Sequence, residues 1–309
     1  MKKIPFSAPS TDNIHQLRGV VYLPCSEPKG FFHVVHGMTE HMARYDRFMT
    51  DMADKGYICF GYDHLGHGLT ALDDSELGYI APQNGWDILC RDVRAFSDAV
   101  IAEYTPDGQA LPYFLMGHSM GSFIARIAAV RYVKPDRCII MGTGGKNPAA
   151  DAGLALVSVL KKLFGERHIS KLLDKIAFGS YNKRFGGGTE DDPSPWLTRD
   201  EEVRRKYYAD KFCTFKFTVS AMGDLIRLIK ESNSSSWYGA VPVDMPILLV
   251  SGAQDPVGNY GKGVQEVADG LKAAGANARC LIYPDARHEI LNDTTYTRTR
   301  DDILGFIEE

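Results

Sequence analysis

Short apolar segments alternate with longer segments of helical periodicity along most of this 309-residue chain. The apolar segments are bounded by Gly, Pro or Asp and cover residues 31–35, 57–62, 113–116, 138–141, 247–250 and 280–283. Strands that are apolar at every position are typical of a sheet covered on both faces. Residues 86–104 and 123–133 carry apolar residues at helical spacing. This alternation predicts an α/β fold with a doubly wound, mostly parallel sheet.

Two stretches depart from the alternation. Residues 17–22 alternate between apolar and polar, and we expect them to pair antiparallel with residues 31–35 at the N-terminal edge of the sheet. Between residues 144 and 242 the alternation stops, and it resumes at residue 247. The chain therefore predicts one core, formed by residues 1–143 and 243–309, and an inserted helical cap, residues 144–242.

Composition excludes several classes of protein. Hydrophobic residues make up 44% and charged residues 24% of the chain, which is typical of a globular protein. No segment has the run of about 18 apolar residues that spans a membrane, and the first residues lack the apolar segment of a secretory signal. Six scattered cysteines predict reduced thiols, and a net charge of −4 argues against a nucleic-acid partner. We therefore expect a cytoplasmic protein.

The pentapeptide GHSMG at residues 117–121 fits the pattern G-x-S-x-G, between a predicted strand and a predicted helix. In this pattern the serine lies at the apex of a strained turn, where a β-carbon two residues before or after it would clash with backbone. Such a turn exposes the hydroxyl for nucleophilic attack. The position of Ser119 in the chain therefore predicts that it is a catalytic nucleophile.

A serine hydroxyl needs a base to remove its proton and an acid to orient that base, usually in the chain order Ser, acid, His. Asp255 follows the strand 247–250, at the sheet edge where α/β active sites form. His288 is the one histidine after it. Asp285 and Asp244 are alternatives, although the first lies three residues from His288 and the second precedes its strand. The sequence predicts the triad Ser119, Asp255 and His288.

An oxyanion in this type of site accepts hydrogen bonds from two backbone N–H groups. One belongs to the residue after the nucleophile, which is Met120. The other belongs to a loop after an early strand, where Gly37 allows the chain to turn and Met38 follows. We expect the amides of Met120 and Met38 to form the oxyanion hole, with their side chains lining an acyl pocket.

No metal and no cofactor is predicted. His64 and His67 are two ligands at most, whereas protein zinc sites use three or four. Two glycine-containing segments, residues 66–71 and 142–147, lack the complete patterns that bind nucleotide phosphates.

Five motifs, in this order along nearly the whole chain, are HGMTEHMARY, GYDHLGHGLT, LMGHSMGS, SGAQDPVG and YPDARHEILN. Together they resemble the α/β-hydrolase family of monoacylglycerol lipases and lysophospholipases, whose domain is classified as serine aminopeptidase S33-like. Residues 196–200, 208–210 and 215–218 are similar to the cap of bacterial members. The resemblance implies the same triad and oxyanion hole, and it places Glu40 and Arg44 near the polar head of a glyceride. Alternatively, these two residues form an ion pair at i and i+4 of a helix.

The resemblance implies a cofactor-free serine hydrolase that cleaves carboxylic esters of lipid-like alcohols, such as monoacylglycerols or lysophospholipids, through an acyl-enzyme. A serine aminopeptidase acting on small N-terminal residues is the alternative, with Glu40 or an acid of the cap binding the ammonium group. A ligand receptor on the same fold is a remote alternative, since all three triad positions are filled.

Residues 151–162 concentrate apolar side chains in one segment of the cap, which ends in two lysines. This pattern predicts either an entrance helix in transient contact with a membrane surface or a helix that packs the cap onto the core. The oligomeric state is left open by the sequence.

Overall fold

The computed structural model describes residues 1–106 and 109–309, and this part of the chain is built around one eight-stranded sheet. In chain order the strands are β1 (Lys2–Pro9), β2 (Gln16–Leu23), β3 (Gly30–Val35), β4 (Tyr57–Tyr62), β5 (Tyr113–His118), β6 (Arg137–Met141), β7 (Ile247–Gly252) and β8 (Ala278–Tyr283). Their order across the sheet is β1-β2-β4-β3-β5-β6-β7-β8. All neighbours from β4 to β8 are parallel, and the predicted mostly parallel sheet is confirmed.

The predicted pairing of the N-terminal edge is wrong in its partner. β2 runs antiparallel to β1 on one side and to β4 on the other, and β4 separates it from β3. The crossover from β3 to β4 places β4 directly beside β3. β4 therefore occupies the position that β2 would have if β2 and β3 formed a hairpin. The antiparallel edge itself is present, with β1 as an additional strand.

Ten α-helices accompany the described strands. They are α1 (Asp46–Asp54), α2 (Gly85–Tyr104), α3 (Met120–Arg131), α4 (Ala150–Phe164), α5 (Lys171–Phe178), α6 (Glu201–Ala209), α7 (Val219–Ser232), α8 (Ser235–Ala240), α9 (Lys262–Ala273) and α10 (Tyr296–Glu308). One apolar cluster joins a face of the sheet to α2, α3 and α9, and it contains Phe96, Ile127 and Val267. A second cluster joins the opposite face to α1 and α10, and it contains Phe48, Met52 and Phe306. Helices on both faces make the sheet doubly wound.

The segment between β6 and β7 contains α4 to α8. Within it, α7 packs against α2 and α3 as well as against α4. In α8, the indole N–H of Trp237 donates a hydrogen bond of 2.7 Å to the carbonyl of Arg126 in α3. The last part of residues 144–242 is therefore fastened to the core, which leaves α4, α5 and α6 as the part that projects from it. The cap boundaries at 144 and 242 stay a prediction.

All six cysteines lie in the described residues and are free thiols. In residues 1–106 and 109–309, no helix combines the length and the apolar character needed to cross a membrane.

Candidate active site

Ser119 lies between β5 and α3 with backbone angles of φ 53° and ψ −120°, which are unfavourable for a residue with a side chain. Its N–H donates a hydrogen bond of 2.9 Å to the carbonyl of Met141. A β-carbon on Gly117 would lie 2.1 Å from the carbonyl oxygen of Gly121, and one on Gly121 would lie 2.1 Å from that of Val35. The turn predicted from the pentapeptide therefore exists, and both glycines are required by close backbone contacts.

The predicted acid and base meet at the carboxyl ends of β7 and β8. The Nδ1 of His288 lies 2.9 Å from Oδ2 of Asp255, and both residues are buried. The other carboxylate oxygen of Asp255 accepts a hydrogen bond of 2.8 Å from the amide of Val257, which fixes its orientation. The two alternative acids, Asp285 and Asp244, are exposed. The geometry therefore favours Asp255 as the partner of His288.

The loop after β3 contacts the serine turn directly. The amide of Gly37 donates a hydrogen bond of 2.5 Å to Oε1 of Glu40, and a β-carbon on Gly37 would lie 3.0 Å from the β-carbon of Ser119. Among the described residues, the backbone N–H groups of Met38 and Met120 donate to no other group. Both methionines line the cavity beside the serine. This arrangement is consistent with the predicted oxyanion hole, whose role stays a prediction.

Arg44 joins this loop to the residue after the candidate base. Its guanidinium lies 3.1 Å from Oε2 of Glu40 and forms two hydrogen bonds, of 2.7 and 2.6 Å, with the carboxylate of Glu289. The side chain of Arg44 is 11% exposed, and those of the two glutamates are 3% and 4% exposed. The ion pair anticipated as the structural alternative is therefore present and buried. Binding of a substrate head group by Glu40 and Arg44 stays a prediction.

His118 lies behind the candidate base, and its ring centroid is 4.8 Å from that of His288. Its Nδ1 is 3.0 Å from both Oε1 of Glu40 and the hydroxyl of Tyr45. Burial is the largest single influence and would lower the pKa of His118, but the hydrogen bond to Glu40 together with the negative charges of Glu40, Glu289 and Asp255 outweighs it and raises that pKa. Burial alone would raise the pKa of the Glu40 carboxyl, but the contacts with His118 and Arg44 lower it. Both shifts favour an imidazolium on His118 paired with a carboxylate on Glu40.

A cavity of about 740 Å³ opens above Ser119 and His288. Its wall includes several large apolar and aromatic side chains, namely Phe123, Phe178, Tyr181, Trp196, Leu225 and Ile229. Phe123 belongs to α3 of the core, and the other five lie in the segment between β6 and β7. The cavity is therefore large enough, and apolar enough, to hold an acyl chain beside the serine.

The segment between β6 and β7 also contacts the histidine loop, which we define as residues 287–293. The amide of Glu289 donates a hydrogen bond of 2.8 Å to the carbonyl of Leu197. The ring centroid of Trp196 lies 5.0 Å from that of His288. The candidate base is therefore positioned by this segment as well as by the core.

His64 and His67, which are too few to form a predicted metal site by themselves, pack together with His36. The ring of His36 lies 4.2 Å from that of His64 and 5.2 Å from that of His67, and the amide of His64 donates to Nε2 of His36. Burial lowers the pKa of His36 to about 3 and that of His67 to about 4. These are neutral rings that stabilise the loops beneath the site.

Sequence analysis did not identify Glu289, His118 or Trp196 as parts of the site. Glu289 could have been predicted to lie near the site, because it is a charged residue directly after the candidate base. The contact between Trp196 and His288 joins residues 92 positions apart. The sequence pattern at Trp196 resembled that of a cap but carried no information on what the indole contacts.

Comparisons with known proteins identify the family to which the chain belongs. The family model described as serine aminopeptidase, S33, matches residues 26–295. The monoacylglycerol lipase of Mycolicibacterium smegmatis is 26% identical over an alignment that covers 96% of this chain and 98% of that protein. Human monoglyceride lipase is 31% identical over 44% of this chain and 37% of its own length.

Solved structures show the same similarity in three dimensions. A highly thermostable carboxyl esterase from Bacillus coagulans, solved in complex with glycerol, is 29% identical with a TM-score of 0.91, covering 100% of this chain and 98% of that chain. A soluble variant of monoglyceride lipase from Saccharomyces cerevisiae is 18% identical with a TM-score of 0.75, covers 95% of this chain and 91% of that one, and supports the fold alone. The predicted α/β-hydrolase fold and the resemblance to monoacylglycerol lipases are confirmed. The chain belongs to the serine aminopeptidase S33 family of α/β-hydrolases.

Proposed function

We propose that this protein is a serine hydrolase that cleaves carboxylic esters of lipid-like alcohols through an acyl-enzyme, with Ser119 as nucleophile, His288 as base and Asp255 as the acid that orients it. The observation that carries the proposal is the strained serine turn at the floor of an apolar cavity, beside a histidine bonded to a buried carboxylate. The coarser assignment, a carboxylic ester hydrolase, is confirmed by similarity to lipases and esterases over nearly the whole chain.

In the proposed acylation step, the Ser119 hydroxyl oxygen attacks the ester carbonyl carbon while its proton passes to Nε2 of His288. Negative charge develops on the carbonyl oxygen, which accepts hydrogen bonds from the amides of Met38 and Met120. The carboxylate of Asp255 stabilises the imidazolium through Nδ1. Collapse of the intermediate breaks the bond to the alcohol oxygen, which takes the proton from His288 and departs.

Deacylation repeats these steps with water as the nucleophile. His288 removes a proton from water, the resulting hydroxide attacks the acyl carbon, and the proton then returns to the oxygen of Ser119. The products are a carboxylic acid and the free enzyme. No redox or metal chemistry is required by this sequence of steps.

Charges near the serine favour an ester over a peptide with a free N-terminus. Recognition of an ammonium group needs a carboxylate that is not already neutralised. Glu40 is paired with Arg44 and His118, and Glu289 is paired with Arg44. These two carboxylates are therefore already engaged, and so is Asp174 in the cavity wall, which pairs with Lys216; Glu266 is the other acid in that wall. We thus rank the serine aminopeptidase as the second candidate and the ligand receptor below it.

The test is a panel of monoacylglycerols, lysophospholipids and aminoacyl anilides, assayed with one purified sample. We expect kcat/KM for a monoacylglycerol or lysophospholipid to exceed that for any aminoacyl anilide by at least about 100-fold, equivalent to about 2.7 kcal/mol of differential transition-state binding. A preference for the anilides would contradict the proposed substrate class while leaving the triad intact.

Arg44 provides a test of the alternative roles of the buried ion pair. Arg44→Lys retains the charge but loses the two parallel hydrogen bonds to Glu289. If the ion pairs of Arg44 position the loop after β3 and the histidine loop, kcat for a short ester falls about tenfold or more with little change in KM. If Arg44 instead binds the head group, KM for monoacylglycerol rises and turnover of p-nitrophenyl butyrate stays near wild type. Arg91→Lys, at an ion pair on α2, is the matched control.

An exposed apolar patch on α4, α5 and the segment between them provides a test of contact with lipid. We define it as Val159, Leu163, Phe164, Ile169, Leu172 and Ile176, which are 48–66% exposed. In α4, Leu156 is partly buried against the apolar cluster that joins the sheet to α2, α3 and α9. We propose that this patch contacts a lipid surface transiently, and that α4 carries the predicted entrance role on its exposed face and the predicted packing role on the other.

Val159→Asp is therefore expected to slow hydrolysis of long-chain monoacylglycerol in vesicles about tenfold, because a charge opposes insertion into lipid, while butyrate esters are cleaved at the wild-type rate. Leu156→Asp is expected to lower the melting temperature and both activities. Val243→Asp, which replaces another exposed valine outside the patch, is the control. Equal losses on both substrates for Val159→Asp would assign the whole helix to packing.

A further inference from the structure

Three side chains of different ligand types meet where the loop after β3 touches the end of α6. They are the imidazole of His41, the carboxylate of Asp210 and the thiol of Cys213, and their ligand atoms all lie within 4.8 Å of one another. The Nε2 of His41 is already 2.8 Å from Oδ2 of Asp210. The cluster therefore joins the loop that carries Met38 to residues about 170 positions away in the chain.

The local backbone holds two of these side chains in place. Oδ1 of Asp210 accepts a hydrogen bond of 2.9 Å from the amide of Phe212, which directs Oδ2 toward His41. The carbonyl of Asp210 accepts a hydrogen bond of 3.0 Å from the amide of Cys213, and this turn brings the carboxylate and the thiol together. In metal sites of proteins, a carboxylate ligand is typically oriented by a hydrogen bond to the oxygen that does not bind the metal.

Accessibility also fits an exchangeable site. The side chains of His41 and Asp210 are 14% and 34% exposed, whereas Cys213 is 3% exposed. Cys213 also lines the large cavity. An ion could therefore enter from solvent or from the cavity and be held in partly sheltered surroundings.

The donor atoms select the class of ion. Imidazole nitrogen, carboxylate oxygen and thiolate sulfur together suit Zn²⁺, whereas Mg²⁺ and Ca²⁺ prefer oxygen ligands alone. Tetrahedral zinc with bonds of about 2.0 to 2.3 Å places its ligand atoms about 3.5 Å apart. Closing the present spread of up to 4.8 Å to that distance requires side-chain movements of about 1 Å.

Charge near the cluster does not oppose a cation. The nearby cationic side chains are those of Arg44, whose charge is balanced by Glu40 and Glu289, and of Lys211, which pairs with Asp74. With Asp210 ionised and Cys213 as thiolate, a divalent ion would leave the cluster itself neutral. The energetic penalty of placing a doubly charged ion there is therefore small compared with that of an unbalanced site.

We propose that His41, Asp210 and Cys213 form a zinc-binding site that is separate from the catalytic triad and ties the cap to the loop bearing Met38. Three protein ligands leave a fourth position for water. Binding exchanges the thiol proton of Cys213 for the metal, and the proton is released to the buffer. An ion held there joins two segments that otherwise meet through side-chain contacts, so it stabilises the contact between the cap and that loop.

The direct test is titration of the purified full-length protein with Cd²⁺, whose thiolate complex absorbs in the ultraviolet. We expect one saturable equivalent per chain, competition by Zn²⁺, and complete loss of the absorbance in Cys213→Ser. Asp210→Asn keeps the thiol and is expected to weaken Cd²⁺ affinity at least about tenfold. None of these measurements depends on ester hydrolysis, so their failure is distinguishable from failure of the proposed function.

Cys25→Ser is the control, because Cys25 is the exposed cysteine and binds metal ions adventitiously if any does. It is expected to leave both stoichiometry and affinity unchanged. Zn²⁺ is also expected to raise the melting temperature of the wild type and of Cys25→Ser but not that of Cys213→Ser. Absorbance that persists in Cys213→Ser, or affinity unaffected by Asp210→Asn, would overturn the proposal. If Cys213→Ser does not fold, Asp210→Asn and His41→Asn decide the question by the same titration.

Discussion

Replacing Ser119 with alanine is expected to lower kcat for ester hydrolysis by about 10⁴-fold or more, because the variant lacks the nucleophile. The protein should remain folded, since alanine removes only a hydroxyl that is partly exposed at the cavity floor. Steady-state hydrolysis of p-nitrophenyl butyrate measures the first effect, and circular dichroism with a thermal melt measures the second. Wild-type turnover by a folded variant would exclude the serine turn as the catalytic centre.

Ser122 offers a matched control one turn further along α3. Its hydroxyl donates a hydrogen bond of 2.6 Å to the carbonyl of Ser119, so Ser122→Ala removes a hydroxyl of the same type from the same turn. We expect a loss of about 1 kcal/mol in the free energy of unfolding, and a far smaller loss of activity than for Ser119→Ala. A fluorophosphonate probe should label the wild type and Ser122→Ala with one group each, and should leave Ser119→Ala unlabelled.

The second large effect is expected for Asp255→Asn, which should lower kcat about 10⁴-fold. Asparagine keeps the shape of the side chain but loses the charge that stabilises the His288 imidazolium, and its amide group favours the wrong tautomer of the ring. The loss corresponds to about 5 kcal/mol of transition-state stabilisation. Measuring kcat and KM for a short ester separates it from any change in substrate binding.

Asp285→Asn is the natural comparison, because Asp285 lies three residues before His288 and yet is exposed. Its backbone carbonyl, not its carboxylate, accepts the hydrogen bond from Arg199. We expect near wild-type turnover for this variant. A severe loss in Asp285→Asn together with a mild one in Asp255→Asn would move the acid to the loop before His288.

The buried strands were predictable because their environment is simple. β3 to β7 are covered by helices on both faces, and an uninterrupted apolar run is the direct result of that burial. β8 lies at the edge of the sheet, and its alternating burial departs from the continuous burial expected for it. β1 carries two prolines and is mostly exposed, and it was not predicted, although Ile4, Phe6 and Ala8 alternate with more exposed residues along it.

The partner of β2 was beyond local sequence patterns, since strand order depends on how the β3 to β4 crossover is placed. The residue pattern along one strand indicates which of its side chains are buried, but it does not indicate which strand is its hydrogen-bonded neighbour. The same limit applies to the site. The order Ser119, Asp255, His288 follows from chemistry at the ends of successive strands, whereas the contact between Arg44 and Glu289 joins side chains 245 positions apart.

The hydrogen bonds between the predicted cap and the histidine loop bear on how the substrate range of such an enzyme can change. Besides the bond from Glu289 to Leu197, the hydroxyl of Thr198 donates 2.8 Å to the carbonyl of Asn292. A chimaera that exchanges the whole insertion for that of a relative would remove both supports of the base at once. Grafts that spare residues 196–199 and exchange α5 alone would keep the catalytic geometry while changing the cavity wall, to which α5 contributes Asp174 and Phe178. Inherited variation in substrate range should therefore concentrate in α5.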